Sequence, residues 1–229
     1  MIREDYIMRM VKQFTRAVTK ILGLKESHQY DEVLETVNET FQELFGLNSR
    51  VFNSLSAESI IEFLKLEESE LMRKCFWVAE LMREEAEIYE SQGEMQKSKS
   101  EYLKSLELYL EGITYGDNPI VADYLGKIKK ILDRFELQEL TYKTKCKLLR
   151  YYEKTENYSK VEDLLYELLE LKEDNLDLIE YGISFYNNLM TKSDEELIDG
   201  NLSREKVIKS KLRLEKKGNL KSPFTPLHG

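Results

Sequence analysis

The chain has 229 residues, with 34 Lys or Arg against 43 Asp or Glu and a formal net charge of −9, an acidic balance that opposes nonspecific attraction to nucleic acid or anionic lipid. Its two cysteines, Cys75 and Cys146, belong to no CxxC pattern, which argues against a disulfide framework or a zinc site. Only three prolines occur, two of them at Pro223 and Pro226, and period-two runs of β-branched residues are missing, so a continuous all-α body is expected over residues 1–217 as one domain, with a disordered tail at 218–229.

The first helix is expected from Tyr6 to Leu22, where Tyr6, Met10, Phe14, Ala17, Val18 and Ile21 keep helical spacing and Gly23 supplies a left-handed stop. Arg9, Lys12 and Arg16 interrupt these apolar residues before a signal-peptide core can form, and no stretch approaches the ~20 apolar residues of a membrane span. With two unpaired thiols, this points to a reducing cytoplasm. A second helix carries Tyr30, Val33, Leu34, Val37, Phe41, Leu44 and Phe45 in one stripe before Gly46, pairing antiparallel with the first. Ser56 then caps a short helix bearing Ile60, Ile61 and Leu64, read as a lid or spacer.

Residues 68–91 read as a long helix with two stripes, Leu71, Cys75, Val78, Met82, Ala86 and Tyr89 on one and Trp77, Leu81 and Ile88 on the other. So wide an apolar arc requires neighbours on two sides. After Gly93 a partner helix runs through Tyr102, Leu106 and Tyr109, with Gly112, Gly116 and Asp117 as its stop and Asn118-Pro119 as the next start. Val121, Tyr124, Ile128 and Ile131 face inward on that next helix. A further pair is expected at 140–155 and 158–171, with Asn157 as the left-handed turn residue, followed by a helix from Leu176 to Met190 and a capping box at Ser193–Glu196. The lysine-rich stretch from Ser203 to Lys217 reads as a frayed helix.

Setting residues 79–113 beside the turn near Glu156 aligns Tyr89 with Tyr152, Ser98 with Val161 and Tyr102 with Leu165 at an offset of 63, near twice the ~34-residue tetratricopeptide period. Ala86, Ser98 and Ser105 supply small residues where two helices of such a hairpin touch, whereas the later unit carries Leu149, Val161 and Leu168. The chain therefore resembles a tetratricopeptide-like α-α superhelix of antiparallel hairpins, with about nine helices. Met1–Arg9, Leu44-Phe-Gly-Leu47, Leu55-Ser-Ala-Glu58 and Tyr151-Tyr-Glu-Lys-Thr155 together resemble an uncharacterised bacterial family of unknown function found mainly in Firmicutes. That resemblance implies a tetratricopeptide-like fold in a bacterial cytoplasm and carries no catalytic residues.

The histidines, His28 in a turn and His228 in the tail, form no cluster with cysteine or with an activated serine. Carboxylate pairs such as Glu67-Glu68, Glu84-Glu85 and Glu195-Glu196 arise freely in so acidic a chain, and no phosphate-binding glycine loop occurs, so neither catalysis nor a cofactor is expected. On tetratricopeptide logic the groove-facing positions are Glu80, Arg83, Glu84, Glu87 and Glu90 on one helix and Lys143, Lys147, Arg150 and Lys154 on another, which expects a protein or peptide partner of mixed charge. Self-assembly into a homo-oligomer through Trp77, Leu81 and Ile88 is the main alternative, with an adaptor that meets RNA through the basic run or a membrane surface through the cationic first helix ranked below it. The basic run from Arg204 to Lys217 lacks interleaved aromatics, which argues against RNA.

Overall fold

A computed structural model describes residues 2–65, 70–115, 119–172 and 175–219. Among these residues there are twelve α-helices, one 3-10 turn and no strand. The all-α expectation holds, while the count of about nine was too low because short apolar segments such as 49–54 carry too few residues to display a period. The helices fall into two compact units, Met1–Glu136 and Leu137–Gly229, a boundary inside the single domain expected over 1–217. No described helix is long and apolar enough to cross a membrane.

In the first unit, α1 (Ile2–Glu26) and α2 (Tyr30–Phe45) form a hairpin. Gly23 does not stop α1. The helix continues to Glu26, and His28 takes the positive φ of 56° in the turn. Three short-range caps then set the chain direction: Gly46 ends α2 at φ 73°, the Asn48 side chain accepts from Val51 N at the start of α3 (Ser49–Ser54), and Ser56 Oγ accepts from Ser59 N 3.2 Å away at the start of α4 (Ala57–Lys65). Ile60, Ile61 and Leu64 of α4 are buried, so this segment is part of the core and not a loose spacer.

The centre of the unit is the hairpin of α5 (Leu71–Ser91) and α6 (Met95–Thr114). Residues 68–69, expected to open α5, and 116–118, expected to end α6 and start the helix after it, lie outside the described residues. Both stripes of α5 are covered, Trp77 stacking on Phe14 of α1 with ring centroids 5.1 Å apart. Ala86, Ser98 and Ser105 all point inward, and Ser105 Oγ donates to the Ala79 carbonyl across 2.7 Å, so the small residues do permit close helix contact. Gly112 does not terminate α6 but lies within it, and a Cβ there would stand 2.5 Å from Phe76 Cε1. The glycine makes room for an aromatic ring of α5, which itself stacks on Tyr124 of α7 (Ile120–Leu132) at 4.3 Å.

In the second unit the 3-10 turn Leu137–Glu139 leads to a hairpin of α8 (Tyr142–Lys154) and α9 (Tyr158–Leu171). Its turn residue with positive φ is Glu156, at 54°, and not Asn157, whose side chain instead donates to the Thr155 carbonyl at 2.9 Å. α10 (Leu176–Met190) follows, then α11 (Asp194–Asp199) behind the complete Ser193/Glu196 capping box, then α12 (Arg204–Asn219). α12 is not frayed: Val207, Ser210 and Leu214 share one buried face at spacings of three and four. Gly218, assigned to the tail from sequence, sits in α12, while residues 220–229 lie outside the described ones.

The hairpin turns repeat one geometry. Gln29 N, Glu94 N and Asn157 N donate to the carbonyls of Leu24, Tyr89 and Tyr152 at 2.9, 2.8 and 2.9 Å. His28, Gly93 and Glu156 each donate three residues back, and each has positive φ. This is the Schellman closure, and at these three hairpin turns the next residue opens the partner helix at once; the same closure also ends α11, where Leu202 N donates to the Leu197 carbonyl at 2.9 Å and Asn201 has φ 58°.

Candidate functional site

On α5 the residues expected to face a groove form an internal ion-pair cluster. Exposure was expected of Glu80 and Glu84, but both are buried, at 2% and 0%. Arg83 Nη2 reaches Glu80 Oε1 at 2.8 Å and also pairs with Glu84 and Glu87. Lys25 of α1 meets Glu84 at 2.6 Å and Glu87, Lys127 of α7 meets Glu80 at 2.7 Å, and the Tyr109 hydroxyl of α6 donates to Glu80. Three carboxylates thus face three cations, tying four helices together. Burial pushes Glu80 up, but Arg83 and Lys127 more than offset this and hold it at about 2. Burial lowers Arg83 while Glu80 and Glu84 raise it, and the balance is upward. Glu90 lies further along, accepting from Tyr102 at 3.2 Å and pairing with Arg134.

Glu85, next in sequence to Glu84, points to different partners. It is 1% exposed, and burial, with Glu101 adding to it, pushes its carboxyl to about 7 although Ser49 and Asn53 hydrogen-bond to it and Lys104 stands nearby. Lys104 is itself engaged by the Asn53 carbonyl at 2.6 Å and by Glu101 at 2.9 Å. Adjacent carboxylates therefore meet different surroundings, Glu84 inside a salt-bridge cluster and Glu85 in a buried niche that pushes its carboxyl up. Sequence reasoning had no means to separate them, because they differ only by which helix each meets.

On α8, Arg150 is exposed, 5.2 Å over the Tyr181 ring, and 3.4 Å from Glu153. Lys143 is exposed, and Lys147 and Lys154 are half-buried, all three with interactions of their own. The five α5 residues belong to the first unit and these four to the second. Trp77, Leu81 and Ile88, the expected homo-oligomer face, are buried inside the first unit by the chain itself.

The second unit holds a cavity that sequence reasoning did not assemble. α9 and α12 both rest on α10, where Gly182 lets Leu214 and Leu165 approach to 2.5 and 2.8 Å of the place a Cβ would occupy. Above that floor lies a cavity of about 460 Å³ walled by Asp163, Tyr166 and Glu170 of α9 and by Lys206, Lys209 and Arg213 of α12. Glu162, 2% exposed, anchors the cavity: it accepts from Ser210 Oγ at 2.6 Å and Tyr186 OH at 3.0 Å and pairs with Lys206. Hydrogen bonding to Glu162 raises Lys206, while burial raises the Tyr186 phenol. Glu167 is held by Lys145 at 2.6 Å.

Once these are accounted for, Glu170 and Lys209 make no hydrogen bond or ion pair among the described residues, Asp163 acts on Lys206 through its charge alone, and Arg213 lies over the face of the Tyr166 ring, 4.8 Å away. The Tyr166 hydroxyl is buried without a hydrogen-bond partner among the described residues, a condition that costs about 1–3 kcal/mol. The basic run is thereby divided. Arg204 pairs with Asp194 at 2.8 Å and donates to the carbonyls of Leu189 and Met190 at 3.2 Å, satisfying the end of α10, whereas Lys209 and Arg213 turn to the cavity. Spacing could have flagged this, since Asp163 and Glu170 are seven apart and Lys209 and Arg213 four apart, each set on one helical face.

No curated protein and no solved structure matches the chain. Residues 1–217 match a family described as a family of unknown function, DUF6483. The match covers both helical units up to the last turn of α12, and the chain belongs to that family.

Proposed function

We propose that this protein is a non-catalytic helical-repeat scaffold of tetratricopeptide-like construction that binds a protein or peptide partner on a charged helical face. The Schellman closure shared by the turns at His28, Gly93 and Glu156, with the buried small residues Ala86, Ser98 and Ser105, supports the repeat reading. A reducing cytoplasm suits two cysteines that form no disulfide.

The observation that carries the binding role is the α9/α12 cavity, where Asp163 and Glu170 share one space with Lys209 and Arg213 and no ion pair joins the two sets. Charges left unpaired in a concavity keep their capacity to select a partner, whereas the α5 cluster has spent its charges internally. The binding face is therefore Asp163, Glu170, Lys209 and Arg213, with the α8 residues Lys143, Lys147, Arg150 and Lys154 as the further charged surface of the same unit.

Photocrosslinking tests this. Benzoylphenylalanine at Lys209 is expected to yield discrete protein adducts in cells that are lost on reversing Asp163 and Glu170 to lysine. The same probe at the exposed Glu35 of α2 serves as control. Identical adducts from both positions, or none at Lys209, would remove the binding role.

A further inference from the structure

The two walls of the α9/α12 cavity restrict what it can hold. A polyanion placed against Lys209 and Arg213 would also face Asp163 and Glu170, and a polycation would meet the reverse. Like charges at that range oppose binding as strongly as unlike charges favour it. Only a ligand carrying both signs, held in the right order, satisfies both walls. The cavity volume of about 460 Å³ lies within the range of small-ligand sites.

Spacing selects the size of that ligand. Asp163 and Glu170 are separated by seven residues of helix, about 10 Å at 1.5 Å per residue, and Lys209 and Arg213 by about 6 Å. A free amino acid carries one ammonium and one carboxylate and meets one member of each wall at most, whereas like charges on alternate residues of an extended peptide recur about every 7 Å and meet both. Arg213 is suited to the carboxylate end, because its planar fork can take two oxygens while its face stays on Tyr166.

Building on the scaffold reading above, we propose that the α9/α12 cavity binds an extended peptide segment of alternating charge, its acidic side chain on Lys209 and Arg213 and its basic side chain on Asp163 and Glu170. The segment lies along the groove between α9 and α12.

Isothermal titration calorimetry on the full chain tests the charge class. The titrants are acetylated, amidated hexapeptides of alternating Glu-Lys, all Glu and all Lys, with free lysine, free glutamate and a single-stranded RNA hexamer as further arms. The alternating peptide is expected to bind at least about tenfold tighter than any other titrant. Lys209→Glu with Arg213→Glu, both at exposed positions, is expected to weaken it about tenfold and to strengthen binding of all-Lys. Equal binding of a single-sign peptide or RNA, equal binding of the free amino acids, or an alternating peptide indifferent to the reversal would each overturn the proposal. Adducts confined to Lys209 without preference for the alternating peptide would overturn the charge class while leaving the scaffold reading in place; absence of both would remove the two together.

Discussion

Arg213 of α12 lies with its guanidinium 4.8 Å from the ring centroid of Tyr166 on α9, so one side chain from each wall meets at the cavity while the phenol hydroxyl stays buried and unpaired. A cation on a ring face and an orphan hydroxyl on the same ring pull in opposite directions energetically. Tyr166→Phe keeps the ring and removes the orphan. We expect urea unfolding to show a gain of about 1 kcal/mol. A loss of stability would mean that the hydroxyl is satisfied in solution.

Glu85 sets a pH dependence whose sign is fixed. Its folded-state carboxyl titrates at about 7, above the ordinary 4.5, because burial disfavours its charge. Below 4.5 it is protonated whether folded or not, and its contribution to stability is fully present. Between 4.5 and about 7 only the folded chain holds the proton, so stability falls as pH rises through this window and levels off above it, a loss on the order of 3 kcal/mol. Glu85→Gln imitates the neutral acid. Denaturation at pH 5 and pH 8 is expected to show a flatter profile for the variant, with the variant more stable at pH 8. Parallel profiles would contradict the assignment.

Gly112 is a packing requirement inside α6. An added methyl would stand 2.5 Å from Phe76 Cε1 and 2.8 Å from Cδ1, and Phe76 cannot retreat without disturbing its stack on Tyr124. Gly112→Ala is expected to lower stability by about 1–3 kcal/mol, even though alanine is the better helix former. Retained Tm would show that the ring has room to move.

The repeated turn predicts opposite effects at equivalent positions. Gly93 and Glu156 have φ of 79° and 54°, a region that costs a residue with a Cβ about 1–2 kcal/mol. Glu156→Gly should therefore raise the unfolding midpoint and Gly93→Ala should lower it. Same-sign shifts would mean that the two turns are not equivalent in energy.

The helical hairpins were legible because their signals are local. Period, caps and small residues placed α2, α5, α6 and the Ser193 capping box, since each depends on neighbours a few positions away. Gly112 was misread as a stop for the same reason: nothing in its own helix reveals Phe76 on the other one. α12 looked frayed because its lysines dominate the composition, although Val207, Ser210 and Leu214 fill a buried face against α10. The charges on α5 were recognised as one face, but whether that face meets water or Lys25 and Lys127 is a tertiary fact. The α9/α12 cavity needed α10 beneath it, and its uncommitted residues emerge only after Lys206 and Glu167 have found their partners.

The most direct measurement of the central claim is the calorimetric affinity of the alternating Glu-Lys peptide across a wall-swap series. Reversing one wall, by Lys209→Glu with Arg213→Glu or by Asp163→Lys with Glu170→Lys, leaves like charges on both sides and should weaken binding about tenfold or more. Reversing both walls restores the dipolar pattern in mirror order, which an alternating peptide can meet by shifting one residue, and should recover most of the affinity. A doubly swapped chain that binds no better than either single-wall variant would contradict the assignment of this cavity as a peptide site read through charge.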